Sequence, residues 1–133
     1  MMFRMTRWVL TTGAFLILTA AASAGEAKLM HCFAFTELEG ATEADWKAFY
    51  KATDELPGKI EGLNKVWYGK LRRPLAQYNR DGKQSIRQSG VCMEMEDEKA
   101  LRAYDESDAH AEWVKVYEKV RVAGTTTYDI LGQ

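Results

Sequence analysis

The stretch LMHCFAFT, Leu29 to Thr36, constrains the fold more than any other. It is apolar nearly throughout, whereas a strand with one wet face alternates apolar and polar residues. Such a strand is covered on both faces and belongs inside a sheet. The rest of the chain must supply a cover for each face.

One cover is helical. In ELEGATEADW, Thr42 and Asp45 have capping-box spacing, with Asp in place of the usual Glu or Gln. Trp46, Phe49, Tyr50, Thr53 and Leu56 then recur at helical spacing until Pro57-Gly58 stops the helix. Gly62 opens a second strand, Leu63 to Leu71. The segment Arg72 to Gln84 is polar, carries Pro74 and the turn pair Asp81-Gly82, and is expected to be a mobile connection. A third strand lies in SIRQSGVCMEME, where Val91, Met93 and Met95 alternate with Cys92, Glu94 and Glu96. Asp97 caps a short helix through Leu101 and Tyr104, and Ser107 or Asp108 starts another, Ala109 to about Lys119. VRVAGTTTYDIL is a last strand, rich in β-branched residues. The order β-α-β-β-α-β predicts an α+β, ferredoxin-like fold, a four-stranded antiparallel sheet with helices on one face. The other face is left bare, and a homodimer with its sheets packed face to face is the expected cover.

Residues 1–24 have a different character. Arg4 and Arg7 precede an apolar run from Trp8 to about Leu18, and Ala22-Ser23-Ala24 fits a small-residue cleavage pattern. Thr11, Thr12 and Gly13 interrupt the run, which is shorter than the roughly 20 apolar residues a membrane span needs. A cleavable signal peptide cut after Ala24 is expected, followed by one domain over residues 25–133. That domain would reside in the periplasm or outside the cell, with no membrane attachment after cleavage. Without the leader the formal charge moves from −1 to about −3, roughly 16 basic residues against 19 acidic ones. No basic stripe marks a nucleic-acid partner. Cys32 and Cys92 lie in predicted strands, where cysteine behaves as a small buried hydrophobe. Two free thiols are expected in preference to a disulfide, which needs Cα atoms within roughly 7 Å. No C-x-x-C or H-x-x-x-H spacing points to a metal, and no cofactor is expected.

Three stretches carry a resemblance: HCFAFT in the first strand, MEMEDEKALRAYDESDAH from the third strand into the helices, and the closing TYDIL. Together they resemble the stress-responsive dimeric α/β-barrel (Dabb) domain, whose members often read E-F-E-D-x-x-A-L-x-x-Y-x-x-H-P-A-H. The match runs from about Leu29 to Leu131. It implies a dimeric ferredoxin-like barrel with a cavity between helices and sheet in each subunit. Most bacterial members have no assigned reaction. A plant branch are polyketide cyclases that close a ring by intramolecular aldol condensation, using the tyrosine and final histidine of that motif. Those positions are Tyr104 and His110 here, and the first-strand histidine and last-strand aspartate correspond to His31 and Asp129. The chain departs from the pattern at Ser107-Asp108, which replace His-Pro, and at Gln88-Ser89, where Thr-His is frequent.

Such chemistry needs a base of pKa near 7 and a donor that steadies an oxyanion. His110 suits the first role and Tyr104 the second. Both also fit a purely structural reading. Tyr104 completes the stripe Ala100, Leu101, Tyr104, and His110 opens the stripe His110, Trp113, Val114, Tyr117. His31 has the parity of Phe33 and Phe35. Facing the helices it would see His110 across a cavity; otherwise it is a hydrogen-bonded core residue. Asp129 is expected to orient His110, or else to be a solvated acid. Phe49, Trp67 and Trp113, with Trp46 and Tyr117, are candidates for apolar walls, although aromatics at helical spacing are usually core. Glu94 and Glu96 point the same way on one strand face rather than across a glycosidic bond, so glycoside hydrolysis is set aside. Three functions compete. The first is an exported protein, stress-related as the resemblance implies, that binds a small, largely apolar molecule. The second is a cyclase- or lyase-like enzyme using His110 and Tyr104. The third is a haem-binding or cofactor-free monooxygenase, with His31 or His110 as an iron ligand.

Overall fold

A computed structural model describes residues 27–133. The expected signal peptide lies outside the described residues. The elements are β1 (Leu29–Glu37), α1 (Glu43–Glu55), β2 (Leu63–Tyr78), β3 (Gln84–Met95), α2 (Glu98–Glu106), α3 (Asp108–Tyr117) and β4 (Arg121–Leu131). They form one antiparallel sheet of order β2-β3-β1-β4, with the helices on one face. This is the ferredoxin-like arrangement the sequence predicts, with LMHCFAFT in an interior strand.

Local chemistry sets the helix ends. Thr42 Oγ1 accepts from the Asp45 amide at 3.2 Å, while the Asp45 carboxylate accepts from the Thr42 amide at 2.9 Å, completing the capping box. Asp97 caps α2 through the Ala100 amide. Gly62, at φ +82°, turns the chain into β2, and a Cβ there would lie 2.6 Å from Ala100 Cβ. A larger residue would push α2 off the sheet.

Strand parity separates the two faces. Leu29, His31, Phe33 and Phe35 of β1 face the helices, alongside Met95, Met93, Val91 and Ser89 of β3. There an aromatic cluster forms the core: Phe35 meets Tyr117 edge-on at 5.0 Å and Phe49 at 5.9 Å, and Trp113 stacks on Tyr117 at 4.8 Å. Trp113 Nε1 donates to buried Thr53 Oγ1 at 2.9 Å, tying α3 to α1. The other face carries the row Trp67–Cys92–Cys32–Tyr128 across all four strands.

Two expectations change. Arg72 to Gln84 is not a mobile connection: β2 runs on to Tyr78 and pairs with β3 from Gln84. The register shifts between Lys70 and Leu75, which accommodates Pro74 on an edge strand, where a missing amide breaks no interior ladder. Only Asn79 to Lys83 turns, with Gly82 at φ +78°. The cysteines, expected as free thiols, form a disulfide between Cys32 and Cys92. They are direct cross-strand partners with Cα atoms 4.1 Å apart. That proximity comes from the β1–β3 register, which residue types alone did not reveal.

The bridge spans a sequence separation of 60 residues. Loop-closure entropy then gives about 4 kcal/mol of stabilisation. Chemical denaturation with and without reductant, or of Cys32→Ser with Cys92→Ser, should show a loss approaching that size. Unchanged stability in the double variant would count against a bridge in the folded protein.

Candidate functional site

The β1–β4 register places Asp129 opposite His31, Thr127 opposite Phe33 and Thr125 opposite Phe35, all on the helix-covered side. His31 Nδ1 lies 2.6 Å from Asp129 Oδ1. A carboxylate only accepts, so Nδ1 donates to Asp129 and the imidazole is held with its Nε2 edge away from that carboxylate. Asp129 therefore orients His31, not His110 as the sequence reading expected. His31 is a direct cross-strand neighbour and His110 lies on a helix.

The α2–α3 junction brings in the second half of the site. Ser107 is extended (φ −77°, ψ 146°) and breaks the helix in two. Its hydroxyl donates to the Tyr104 carbonyl at 2.9 Å and accepts from the His110 amide at 3.0 Å. One serine thus ties together the backbones of Tyr104 and His110, whose ring centroids are 4.2 Å apart. Tyr104 also lies 5.6 Å from the His31 ring. His110 Nδ1 has only a long contact, 3.4 Å, to the Asp105 carbonyl. Tyr104 therefore contacts both histidines.

These groups line a cavity of about 270 Å³ between α2, α3 and the β1–β4 edge of the sheet. Phe33, Trp113 and Tyr117 give its apolar wall; His31, Tyr104, His110, Thr125, Thr127 and Arg121 give its polar points. Burial, followed by the charge of Asp105, raises the Tyr104 phenol well above the usual tyrosine range. Burial likewise pushes Tyr117 up to about 12, against smaller opposing effects of its Thr125 hydrogen bond and of Arg121 and Arg87. Both phenols stay neutral at physiological pH, and Tyr104 can donate.

Among the sequence candidates, His31, Tyr104, His110 and Trp113 line the cavity and Asp129 holds His31 from behind. Phe49 is not on the wall; it is 1% exposed in the core beneath. Trp67 lies on the opposite sheet face, beside Cys92 and Tyr128, with its Nε1 donating to Glu94 at 3.0 Å. Sequence reasoning missed Arg121, Thr125 and Thr127. Counting back by two from Asp129 would have found both threonines; Arg121 had no such signal. Among the described residues no group of three or more His, Cys, Asp or Glu is placed to hold a metal ion, and no helix is long and apolar enough to cross a membrane.

No family model and no curated protein sequence matches the chain. Solved structures do. A dimeric ferredoxin-like protein of unknown function from Thermobifida fusca is 18% identical, with a TM-score of 0.59, over 80% of this chain and 92% of that one. A dabb family protein with a ferredoxin-like fold from Mesorhizobium loti is 16% identical, with a TM-score of 0.59, over 81% and 99%. Hydroxynitrile lyase from Passiflora edulis is 8% identical, with a TM-score of 0.62, over 80% and 94%. At these identities the likeness shows the fold. The fold is ferredoxin-like.

The buried phenols give an alkaline signature. Unfolded tyrosine ionises near pH 10, while folded Tyr117 holds its proton to about 12 and Tyr104 is raised further in the same direction. The folded chain then binds more protons than the unfolded one above pH 10, so stability falls as pH rises from there. A titration followed at 295 nm should leave two of the six tyrosines un-ionised until unfolding. Six ionising together near pH 10 in folded protein would contradict the burial.

Proposed function

We propose that the chain is an exported, homodimeric Dabb-like protein whose cavity binds a small molecule with an apolar body and a carbonyl-type head. The observation that carries this reading is the cavity's mixed wall. An aromatic surface is combined with the Tyr104 phenol, which lines the cavity in ring contact with both His31 and His110. A neutral phenol on a cavity wall donates to an acceptor, and a ligand oxygen is the natural one here. Export is supported by the leader's sequence pattern and by the Cys32–Cys92 bridge, since disulfides persist in oxidising compartments. A second copy is supported by the exposed Trp67, Tyr128 and Ile130 on the helix-free sheet face and by the dimeric ferredoxin-like proteins of the same fold. At about 270 Å³ the cavity falls below the roughly 300–1,000 Å³ of drug-sized sites, which favours a one-ring molecule over a haem.

A second reading is catalysis by proton transfer, and the His31–Asp129 pair favours it. An imidazole held by a carboxylate behind it is the arrangement of a general base. The likeness to a hydroxynitrile lyase suggests the reaction class. Nε2 would take the hydroxyl proton of an α-hydroxynitrile, the bond to the nitrile carbon would break to leave aldehyde and cyanide, and the proton would pass to cyanide. Tyr104 would hold the oxygen as it becomes a carbonyl. His31 thus replaces His110 as the preferred base.

Benzaldehyde should quench the fluorescence of Trp113 in the cavity, an effect absent from Trp113→Phe; no quenching at millimolar aldehyde would remove the ligand reading. If mandelonitrile is cleaved, His31→Ala and Asp129→Asn should each lower kcat/KM by roughly 100-fold or more, whereas equal turnover in His31→Ala would end the catalytic one. For the assembly, light scattering should give a dimer for the native chain and a monomer for Ile130→Asp. A native monomer at micromolar concentration would rule out the face-to-face pair.

A further inference from the structure

The cavity has a second polar pole. Along β4, Asp129 stands opposite His31 at one end, Thr125 opposite Phe35 further on, and Arg121 opposite Glu37 past the bulge. Four residues of strand separate Asp129 from Thr125, about 13 Å. Between the poles lie Phe33, Trp113 and Tyr117. We infer that Arg121 receives a carboxylate, so that the molecule taken up is a one-ring aromatic acid with its carbonyl or hydroxyl head at His31 and Tyr104. The inference rests on the cavity being a ligand site, as proposed above.

The guanidinium is poorly matched by the protein's own acids. It lies over the Tyr117 ring, 4.6 Å from the centroid. Its Nε is buried and has no partner among the described residues. Nη1 reaches Thr125 Oγ1 only at 3.5 Å, and Nη2 reaches Glu118 Oε1 at 3.6 Å. That glutamate side chain is 60% exposed, so the pair is screened by water. Glu37, the register partner, is already engaged by Lys70 and by Ser89 Oγ at 2.6 Å. Nearby Arg87 is 5% exposed and donates to the hydroxyls of Thr36 and Thr126. Two cations therefore act on Tyr117 at this end, while Asp105 and Asp129 stand at the other. An anionic head is drawn to Arg121 and repelled from the His31 end, which fixes the ligand's direction. A planar guanidinium with free N–H groups suits a carboxylate better than it suits a neutral oxygen.

The test pairs 4-formylbenzoate with its neutral counterpart 4-formylbenzamide, measured by calorimetry on the full chain after leader removal. The benzoate should bind roughly tenfold tighter or more, the gain expected of a charge-assisted hydrogen bond over a neutral one. Arg121→Gln should bring the benzoate down to the amide's affinity and leave the amide unchanged. Glu118→Gln, on the surface, should strengthen benzoate binding alone, and serves if Arg121→Gln does not fold by circular dichroism. Equal affinity of the two probes, or a benzoate preference surviving in Arg121→Gln, overturns the carboxylate assignment and leaves the cavity reading standing. Binding of neither probe overturns both.

Discussion

A slip of β4 by one residue against β1 would carry Asp129 to the far side of the sheet and leave His31 without its carboxylate. It would also remove Thr127 and Thr125 from the cavity and place Tyr128 there. The site therefore depends on register before it depends on any single side chain. Burial holds the facing of β1: Phe33 and Phe35 on the helix side are packed against Tyr117, and neither could move outward without exposing an aromatic ring. The His31–Asp129 hydrogen bond follows from the β1–β4 register, and it satisfies the imidazole Nδ1 in an otherwise apolar strand.

Much of this was legible in the sequence because it depends on local periodicity. The interior strand, the capping box, the split of the second helical segment and the parity of His31 with Phe33 and Phe35 all follow from spacing. What was not legible depends on how strands meet. Cys32 and Cys92 are 60 positions apart, and only their shared register brings them together. Analogy with a carboxylate behind a catalytic imidazole offers Asp129 to His110, or leaves it a solvated acid. Sheet geometry gives it to His31 instead. The long polar stretch after Leu71 looked like a loop because Pro74 and its charges suit one. They also suit an edge strand, where a proline and charged side chains discourage further pairing.

Ser107 illustrates how a departure from a pattern can preserve geometry. A histidine-proline pair there would break the helix through proline's fixed backbone and missing amide. Serine does so by capping: its hydroxyl satisfies an amide at the start of α3 and a carbonyl at the end of α2. The tyrosine and histidine on either side stay in ring contact. His31 and His110, the chain's two histidines, both line the cavity.

The two faces of β1 then serve different ends with one sequence. Its odd positions build the aromatic core and the cavity; its even positions, Cys32 and Ala34, are 3% and 2% exposed although no helix covers them. Side chains from the flanking strands stand around them: Trp67, Leu71 and Tyr128 border a groove over the centre of that face, and Leu71 lies 3.1 Å from where a Gly90 Cβ would stand. The interior strand is thus dry on both sides within one subunit, and its apolar run does not by itself require a partner. The requirement falls on the outer layer instead, on Trp67, Tyr128 and Ile130, whose rings and methyls shield β1 while remaining about half exposed themselves. A contiguous apolar layer of that kind is what a second copy would bury. The disulfide beneath it locks β1 to β3, so that such a surface would meet its partner on a rigid support.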